Sequence, residues 1–245
     1  MASPFTMRHL TLGFRPIPSD STMHGFLETK AGPVPKYEVS SNRAKATVLV
    51  LPTILGIDTD IEFLTEDIAN LGANAIAVDP FWRSNPGPLS HDIEDIRRAL
   101  ERKNAIGRDQ AINDAFIYCR TLMAQSPELP LIAVGVSYGG FLAFCSAACG
   151  LLKGTVICHG GSLPDHIRHA NDIDCQMDIH YGSEDLVIPA DDMLLLKEVF
   201  SSSEAINVHQ HANAKHGFML QSQSSFNPDA YDACIRSVEK ILASL

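Results

Sequence analysis

Basic residues are scarce in this sequence. Lysine and arginine together number 19, against 29 aspartates and glutamates, which gives a formal net charge of −10 at pH 7. Proteins whose main partner is nucleic acid or an anionic membrane surface are typically basic where they make contact. The charge balance therefore argues against both as principal partners.

Long hydrophobic runs are also lacking. The segment Met1–Pro16 has no apolar stretch like that of a signal peptide, and no later run approaches the ~20 residues that span a bilayer. The six cysteines form no C-x-x-C pair, and most of them lie inside apolar segments, as buried free thiols do. We therefore expect a cytoplasmic protein without disulfides.

Metal-ligand patterns are weak as well. His209 and His211 form an H-x-H pair, but no third ligand follows at a spacing typical of a zinc site. Because they alternate along a predicted strand, we interpret them as ordinary strand positions. We expect no metal and no cofactor.

The most informative stretch is Gly135–Gly139, with the sequence Gly-Val-Ser-Tyr-Gly. It follows an uncharged apolar run, Leu129–Val134, typical of a strand buried on both faces, and precedes a small-residue segment, Gly140–Gly150, typical of a buried helix. Strand, G-x-S-x-G and helix together are the context of a nucleophile elbow, in which a strained turn lifts the serine hydroxyl above the sheet edge. We expect Ser137 there, with glycines at 135 and 139 because the two backbones cross too closely for a Cβ.

Strands and helices alternate along the chain, which predicts an α/β protein with a mostly parallel central sheet of about eight strands and helices on both faces. No linker divides the sequence, so we expect residues 1–245 to form a single domain. The predicted strands are Thr6–Phe14, Met23–Thr29, Ala46–Leu51, Ala73–Val78, Leu129–Val134, Thr155–Cys158, Gln176–Tyr181 and Asn207–His211. The predicted helices are Thr59–Leu71, His91–Lys103, Asp109–Ala124, Gly140–Gly150, Ala190–Phe200 and Asp229–Leu245.

A serine nucleophile needs a base, and the base needs a group that fixes its tautomer. In such a sheet these partners follow later strands, in the order serine, acid, histidine. Asp185 follows one strand and His216 follows the last, so we predict these two as acid and base. Glu184 is the alternative acid, and His159 and His180 lie at strand ends where they could line a pocket, although a structural role is the more common one for such histidines.

Five motifs together resemble the dienelactone hydrolase family of the α/β-hydrolase superfamily, and the resemblance covers about residues 22–243. These motifs are Leu51–Gly56, Val78–Arg83, Gly135–Gly140, Gly182–Asp185 and Lys215–Phe218. The resemblance implies an α/β-hydrolase fold, a Ser137 nucleophile, an Asp185 acid and a His216 base. It also implies oxyanion donors from the backbone N–H groups of Ile54 and Tyr138, which agrees with the need for two donors at the developing alkoxide.

The chain departs from the family pattern at two positions. Dienelactone hydrolases carry cysteine where Ser137 stands and glutamate where Thr53 stands. Arg83 matches a family arginine that contacts the substrate carboxylate, while Leu220 or a neighbour replaces a second one. We expect Arg83, the adjacent Trp82 and Thr53 to contact the substrate, and esters other than dienelactone to be preferred.

The sequence thus predicts a serine hydrolase that cleaves a carboxylic ester, lactone or thioester through an acyl-enzyme, acting on a small molecule as a monomer or homodimer. An acyltransferase or C–C bond hydrolase with the same triad is the alternative within enzymes. A non-catalytic ligand-binding protein with a hydrolase fold is the alternative outside them, since fold does not determine function.

Overall fold

Eight strands form one sheet in the computed structural model, which describes residues 22–245 apart from the side chains at positions 22, 23, 169 and 171. The strands are β1 (Thr22–Thr29), β2 (Gly32–Val39), β3 (Thr47–Leu51), β4 (Asn74–Val78), β5 (Leu131–Val136), β6 (Gly154–Cys158), β7 (Gln176–Gly182) and β8 (Ile206–His211). The helices are α1 (Thr59–Asn70), α2 (Ile93–Ile106), α3 (Arg108–Gln125), α4 (Tyr138–Ala147), α5 (Ala190–Val199) and α6 (Pro228–Ala243). The predicted strand Thr6–Phe14 lies outside the described residues.

The strand order across the sheet is β1-β2-β4-β3-β5-β6-β7-β8. Strands β3 to β8 run parallel, whereas β1 and β2 pair antiparallel with each other and β2 pairs antiparallel with β4. The prediction of a mostly parallel sheet of about eight strands is confirmed. Because the central strands run parallel, the loops that follow them meet at one edge, where ligands bind in such sheets.

Alternate side chains of the central strands pack into two separate cores, which is why these strands read as continuous apolar runs. In β3, Leu49 and Leu51 belong to one core, whereas Val48 and Val50 belong to the other. Helices α3, α4 and α5 cover the first core, and α1 and α6 cover the second. The predicted placement of helices on both faces is confirmed.

Strand β2 is missing from the sequence prediction because it contains Pro33 and Pro35, which lack the N–H that a sheet ladder uses. The register shows how the prolines are accommodated. Strand β4 pairs with β2 only from Lys36 to Val39, so both prolines lie where β2 has β1 as its partner.

A 3-10 helix at Pro164–Asp172 is a second element that the prediction omits. None of the helices within residues 22–245 combines the length and apolar character needed to cross a membrane.

Candidate active site

Ser137 lies in the tight turn between β5 and α4. Its φ of 53° is in the left-handed region, which non-glycine residues seldom adopt and which is concentrated at functional sites. A Cβ on Gly135 would lie 2.3 Å from the Gly139 carbonyl oxygen, and a Cβ on Gly139 would lie 1.9 Å from the Leu51 carbonyl oxygen. The close backbone approach predicted from the G-x-S-x-G motif is therefore confirmed.

Three side chains from separate loops meet above this turn. Ser137 Oγ lies 3.0 Å from His216 Nε2, and His216 Nδ1 lies 2.9 Å from Asp185 Oδ2. Both distances are within hydrogen-bonding range. The two hydrogen bonds connect the serine to the histidine and the histidine to the aspartate, as nucleophilic catalysis requires. The structure thus brings together the three residues that the sequence predicted as nucleophile, base and acid.

The Asp185 carboxylate is held by backbone as well as by His216. Its Oδ1 accepts hydrogen bonds from the N–H groups of Val187 at 2.8 Å and Ile188 at 3.0 Å, leaving Oδ2 for the imidazole. Burial raises the pKa of Asp185, but the His216 hydrogen bond and charge, together with the two N–H groups, outweigh it and hold the pKa below its ordinary value. Asp185 is therefore ionised at neutral pH. Glu184, the alternative acid, is exposed and lies outside this hydrogen-bond chain.

The two residues predicted as oxyanion donors border the same cavity as Ser137. Tyr138 is the first residue of α4, so its N–H has no intrahelical acceptor and lies at the positive end of the helix dipole. Ile54 lies in the loop after β3. An oxyanion hole needs donors from these two positions, one after the nucleophile and one after an earlier strand.

The loop that contains Ile54 is fixed by a buried arginine from α2. Arg102 Nη2 donates to the Ile54 carbonyl oxygen at 2.8 Å, and Arg102 Nη1 donates to the carbonyl oxygens of Gly87 at 2.8 Å and Asn85 at 3.0 Å. Its guanidinium stacks over the ring of Phe81 at 4.1 Å. These contacts hold the backbone of the loop on the carboxyl side of the Ile54 N–H. Arg102 could not be predicted from the sequence, because no local motif marks a residue that contacts a loop 48 positions away.

A cavity of about 820 Å³ opens in front of Ser137 and His216. This volume suits a drug-sized ligand. Thr53 lines it too, as predicted, and its hydroxyl accepts a hydrogen bond from the Leu55 N–H at 3.1 Å. The apolar lining comes from Ile54, Leu55, Ile96, Leu100, Phe141, Val187, Ile188, Pro189 and Leu220.

Arg83 and Trp82 require a correction, because the described residues that line the cavity do not include them. The Arg83 guanidinium is bound by the carboxylate of Asp114 on α3 and lies 4.1 Å above the Trp82 ring. Since Asp114 is buried and already engages Arg83, the expected contact between Arg83 and a substrate carboxylate would compete with this ion pair. The carboxylate of Asp79, which is nearer to Arg83 in sequence, accepts hydrogen bonds from the backbone N–H groups of Phe81 and Gly87.

The strand histidines make contacts among themselves. His180 Nδ1 lies 2.9 Å from His211 Nε2, and His180 Nε2 lies 3.0 Å from Ser237 Oγ. His209 stacks on the His180 ring and faces Asp178. These contacts are those of the structural role that we expect for His180, His209 and His211.

Within the part of the chain that the structure describes, three groups of side chains have donor atoms close enough to hold a metal ion. They are His180, His211 and Cys234; Asp178, His180 and His209; and Asp58, Asp60 and His91. Protein hydrogen bonds already engage donors in each group, including both ring nitrogens of His180 and both carboxylate oxygens of Asp60. We assign no cofactor to them.

His159, by contrast, does not follow the structural interpretation given for it above. It lines the cavity, and neither of its ring nitrogens has a hydrogen-bond partner among the described residues. Its position after β6 was visible in the sequence, but its burial against His216 and Phe218 depends on the tertiary structure.

The family model for the dienelactone hydrolase family matches residues 34–244. The chain belongs to the dienelactone hydrolase family. Its similarity to carboxymethylenebutenolidase from Pseudomonas putida is 25% identity over 193 residues, covering 76% of this chain and 81% of that protein. The enzyme from Pseudomonas knackmussii gives the same identity and coverage. This family member is therefore a hydrolase of the class that acts on esters and lactones, as predicted.

Solved structures support the same fold. Dienelactone hydrolase from Anabaena variabilis superposes with a TM-score of 0.69 at 14% identity, covering 91% of this chain and 97% of that one. A dienelactone hydrolase-like promiscuous phosphotriesterase from metagenomic libraries gives a TM-score of 0.71 at 19% identity, with coverages of 91% and 97%. At these identities the likeness establishes the α/β-hydrolase fold, which confirms the predicted fold class for this dienelactone hydrolase family member.

Proposed function

We propose that this chain is a serine hydrolase that cleaves a small carboxylic ester, lactone or thioester through an acyl-Ser137 intermediate. The observation that supports the proposal most directly is the unbroken chain of hydrogen bonds from Ser137 Oγ through His216 to Asp185, at 3.0 Å and 2.9 Å, beside the cavity. A serine hydroxyl becomes a competent nucleophile when a neutral imidazole can take its proton, and this geometry meets that requirement.

The acylation step follows from these contacts. Ser137 Oγ attacks the carbonyl carbon while His216 Nε2 takes the hydroxyl proton, and Asp185 stabilises the imidazolium that forms. The carbonyl oxygen becomes an alkoxide that the Tyr138 and Ile54 N–H groups are placed to stabilise. As the bond to the alcohol oxygen breaks, that oxygen takes the proton from His216 Nε2.

Deacylation repeats the sequence with water. His216 takes a proton from water, the resulting hydroxide attacks the acyl carbonyl, and the bond to Ser137 Oγ breaks as His216 returns the proton to the serine. The products are the carboxylic acid and regenerated Ser137. Each proton is transferred at a single atom, His216 Nε2, which lies 3.0 Å from Ser137 Oγ.

The cavity lining favours neutral substrates. Arg108 lines it, but Arg108 Nη1 is 2.7 Å from Asp165 Oδ2, a second lining residue. Lys103 and Asp192 also line the cavity and contribute one formal charge of each sign. With Arg83 bound to Asp114 and outside the lining, the cavity lacks the carboxylate clamp expected for a dienelactone-type acid. Apolar side chains make up much of the remaining wall. We infer that neutral esters or lactones fit better than carboxylate-bearing ones.

A fluorophosphonate probe tests the proposal directly. The intact protein should be labelled once, and peptide mass spectrometry should place the label on Ser137. The matched variant Ser137→Ala should escape labelling, retain the parent's circular dichroism spectrum and lose roughly a millionfold in turnover on a panel of esters. Hydrolysis by Ser137→Ala within a few-fold of the parent, in a preparation purified apart from host esterases, would remove Ser137 from the mechanism.

A further inference from the structure

His159 combines three unusual features. It lies directly after β6 with φ of 40°, in the left-handed region. Its side chain is fully buried, at 0% exposure, yet it is among the residues that line the cavity. Neither ring nitrogen finds a hydrogen-bond partner among the described residues.

An unpartnered imidazole is costly in such a position. A neutral ring has one N–H donor and one lone-pair acceptor, and burying either of them unpaired forfeits its hydrogen bond to water. Buried polar groups are paired in nearly all proteins, so an exception indicates a role. A leucine or phenylalanine would fill the same space without this cost. The left-handed backbone is a second outlier at the same residue, and such strain is concentrated at ligand sites.

The base of the triad is already assigned elsewhere. His216 makes both hydrogen bonds of the relay, to Ser137 and to Asp185, so His159 is not needed as a proton acceptor. Its ring lies 4.6 Å, centroid to centroid, from the His216 ring and 4.8 Å from the Phe218 ring, in edge-to-face arrangements. Burial, and then the proximity of His216, hold the pKa of His159 well below its ordinary value. The ring is therefore neutral, with one donor and one acceptor to offer.

The ring's position indicates which part of a substrate it meets. In the proposed reaction His216 Nε2 passes its proton to the alcohol oxygen of the ester, so the alcohol portion must lie beside the His216 imidazole. His159 packs against that same imidazole and lines the same cavity. Its nitrogens are covered in this structure, so a second oxygen on the alcohol portion reaches them when the side chains that cover the ring shift on binding.

We propose that His159 is a substrate-binding residue that hydrogen-bonds a polar group on the alcohol portion of the ester and so selects polar alcohols over apolar ones of equal size. This inference rests on the proposed serine-hydrolase function. It adds a specificity determinant outside the Ser137–His216–Asp185 relay. The preferred substrate class is then an ester of a hydroxylated or ether-bearing alcohol.

The test compares two butanoate esters that differ at one atom, 2-hydroxyethyl butanoate and propyl butanoate. Rates are normalised to the alkaline hydrolysis of each ester, so that intrinsic reactivity cancels. The parent should favour the hydroxyethyl ester in kcat/KM. The variants His159→Gln and His159→Met have side chains of similar size but differ in hydrogen bonding. The glutamine variant should keep the preference. The methionine variant should lose about five- to tenfold of the preference, through a lower kcat/KM for the hydroxyethyl ester. If His159→Met does not fold, His159→Phe takes its place.

The outcomes separate this inference from the proposed function. Fluorophosphonate labelling of Ser137 in every variant verifies an intact relay, and a parent that neither labels nor hydrolyses any ester would refute the serine-hydrolase function itself. If the parent labels normally but His159→Met lowers kcat/KM equally for both esters, His159 is only a packing residue and the inference is wrong. The assignment to the alcohol portion is also overturned if the variant instead alters discrimination between butanoate and 3-hydroxypropanoate acyl groups.

Discussion

The guanidinium of Arg83 holds the Asp114 carboxylate with two nitrogens, Nε at 2.7 Å from Oδ2 and Nη2 at 2.7 Å from Oδ1. Two parallel N–H···O bonds are the strongest arrangement that these groups form. Gln110 Nε2 donates to the same carboxylate at 2.9 Å. The pair joins the loop after β4 to α3. The sequence predicted that Arg83 contacts the substrate, whereas the structure shows it in an ion pair with Asp114.

Arg83→Ala should therefore act on stability rather than on substrate choice. Removal of the guanidinium leaves the buried Asp114 carboxylate with fewer partners, and we expect a loss of about 1–3 kcal/mol in the free energy of unfolding. Activity per folded molecule should change equally for a carboxylate-bearing ester and its neutral counterpart. Urea unfolding and the two kcat/KM values check this. A selective loss on the carboxylate-bearing ester would restore Arg83 as a substrate contact.

Asp185→Asn should fold normally and lose on the order of ten-thousandfold in turnover. An amide in place of the carboxylate favours the wrong tautomer of His216, whose Nδ1–H must point at this residue. Steady-state kinetics on a neutral ester measures the loss. The control is Glu184→Gln, since Glu184 is adjacent in sequence but exposed, and it should stay within a few-fold of the parent. A larger loss at Glu184 than at Asp185 would exchange their roles.

His216→Ala should cost about as much turnover as Ser137→Ala, roughly a millionfold, because the nucleophile and the base act as one unit. His209→Ala is the matched control, since His209 faces Asp178 and stacks on His180 rather than on the relay. It should remain within a few-fold of the parent. The double variant Ser137→Ala/His216→Ala should be no slower than either single variant. Additive losses would contradict a shared step.

Gly139→Ala should destabilise the fold. The added Cβ would lie 1.9 Å from the Leu51 carbonyl oxygen, so α4 and β3 would have to separate. We expect a loss of about 3 kcal/mol or more in the free energy of unfolding, at the upper end of overpacking costs. Gly25→Ala in β1 is the control, because a Cβ there meets only Lys36 Cε at 4.0 Å. Equal urea midpoints for the two variants would contradict the close approach at Gly139.

His180 should make stability depend on pH. Burial, and then the proximity of His209 and His211, lower the pKa of His180 to about 3 from an ordinary 6.5. Below pH 6.5, His180 binds a proton in the unfolded chain but not in the folded chain. The free energy of unfolding therefore falls as the pH falls towards 3. Its slope should approach about 1.4 kcal/mol per pH unit.

His180→Gln should remove this part of the slope, although it also costs stability at neutral pH by disturbing the contacts with His211 and Ser237. Urea midpoints measured from pH 7 to pH 4 provide the comparison. His24→Gln serves as the matched substitution at a mostly exposed histidine. An identical slope in His180→Gln and the parent would show that other groups set the acid sensitivity.

Local chemistry explains why much of this structure was predictable. The run before Gly135 is apolar and uncharged because β5 is buried on both faces, and the elbow glycines are required by one crossing of two backbones. Asp185 and His216 follow strand ends, and parallel strands bring their ends to one edge. Sequence order alone therefore predicted the three residues that the structure brings together.

The unpredicted features depend on partners distant in sequence. Arg83 finds Asp114 on a helix 31 residues away, and no pattern around Val78–Arg83 indicates that contact. Strand β2 was not predicted because prolines are rare in strands. Its two prolines fit because β2 pairs with β4 only from Lys36 to Val39. The lack of a hydrogen-bond partner for either ring nitrogen of His159 among the described residues likewise depends on what surrounds the ring in the folded chain.

The hydrogen bonds from Arg102 to the Ile54 carbonyl oxygen limit which residues of the pocket can be substituted. Helix α2 carries Arg102 and also supplies Leu100 and Lys103 to the cavity wall, so one helix both lines the pocket and holds the loop that contains Ile54. Substitutions on α2 that displace Arg102 will therefore disturb that loop as well as the pocket. Val187 and Leu220 line the same cavity from the loops after β7 and β8 rather than from α2. A library aimed at larger esters should diversify those two positions and leave Arg102 intact.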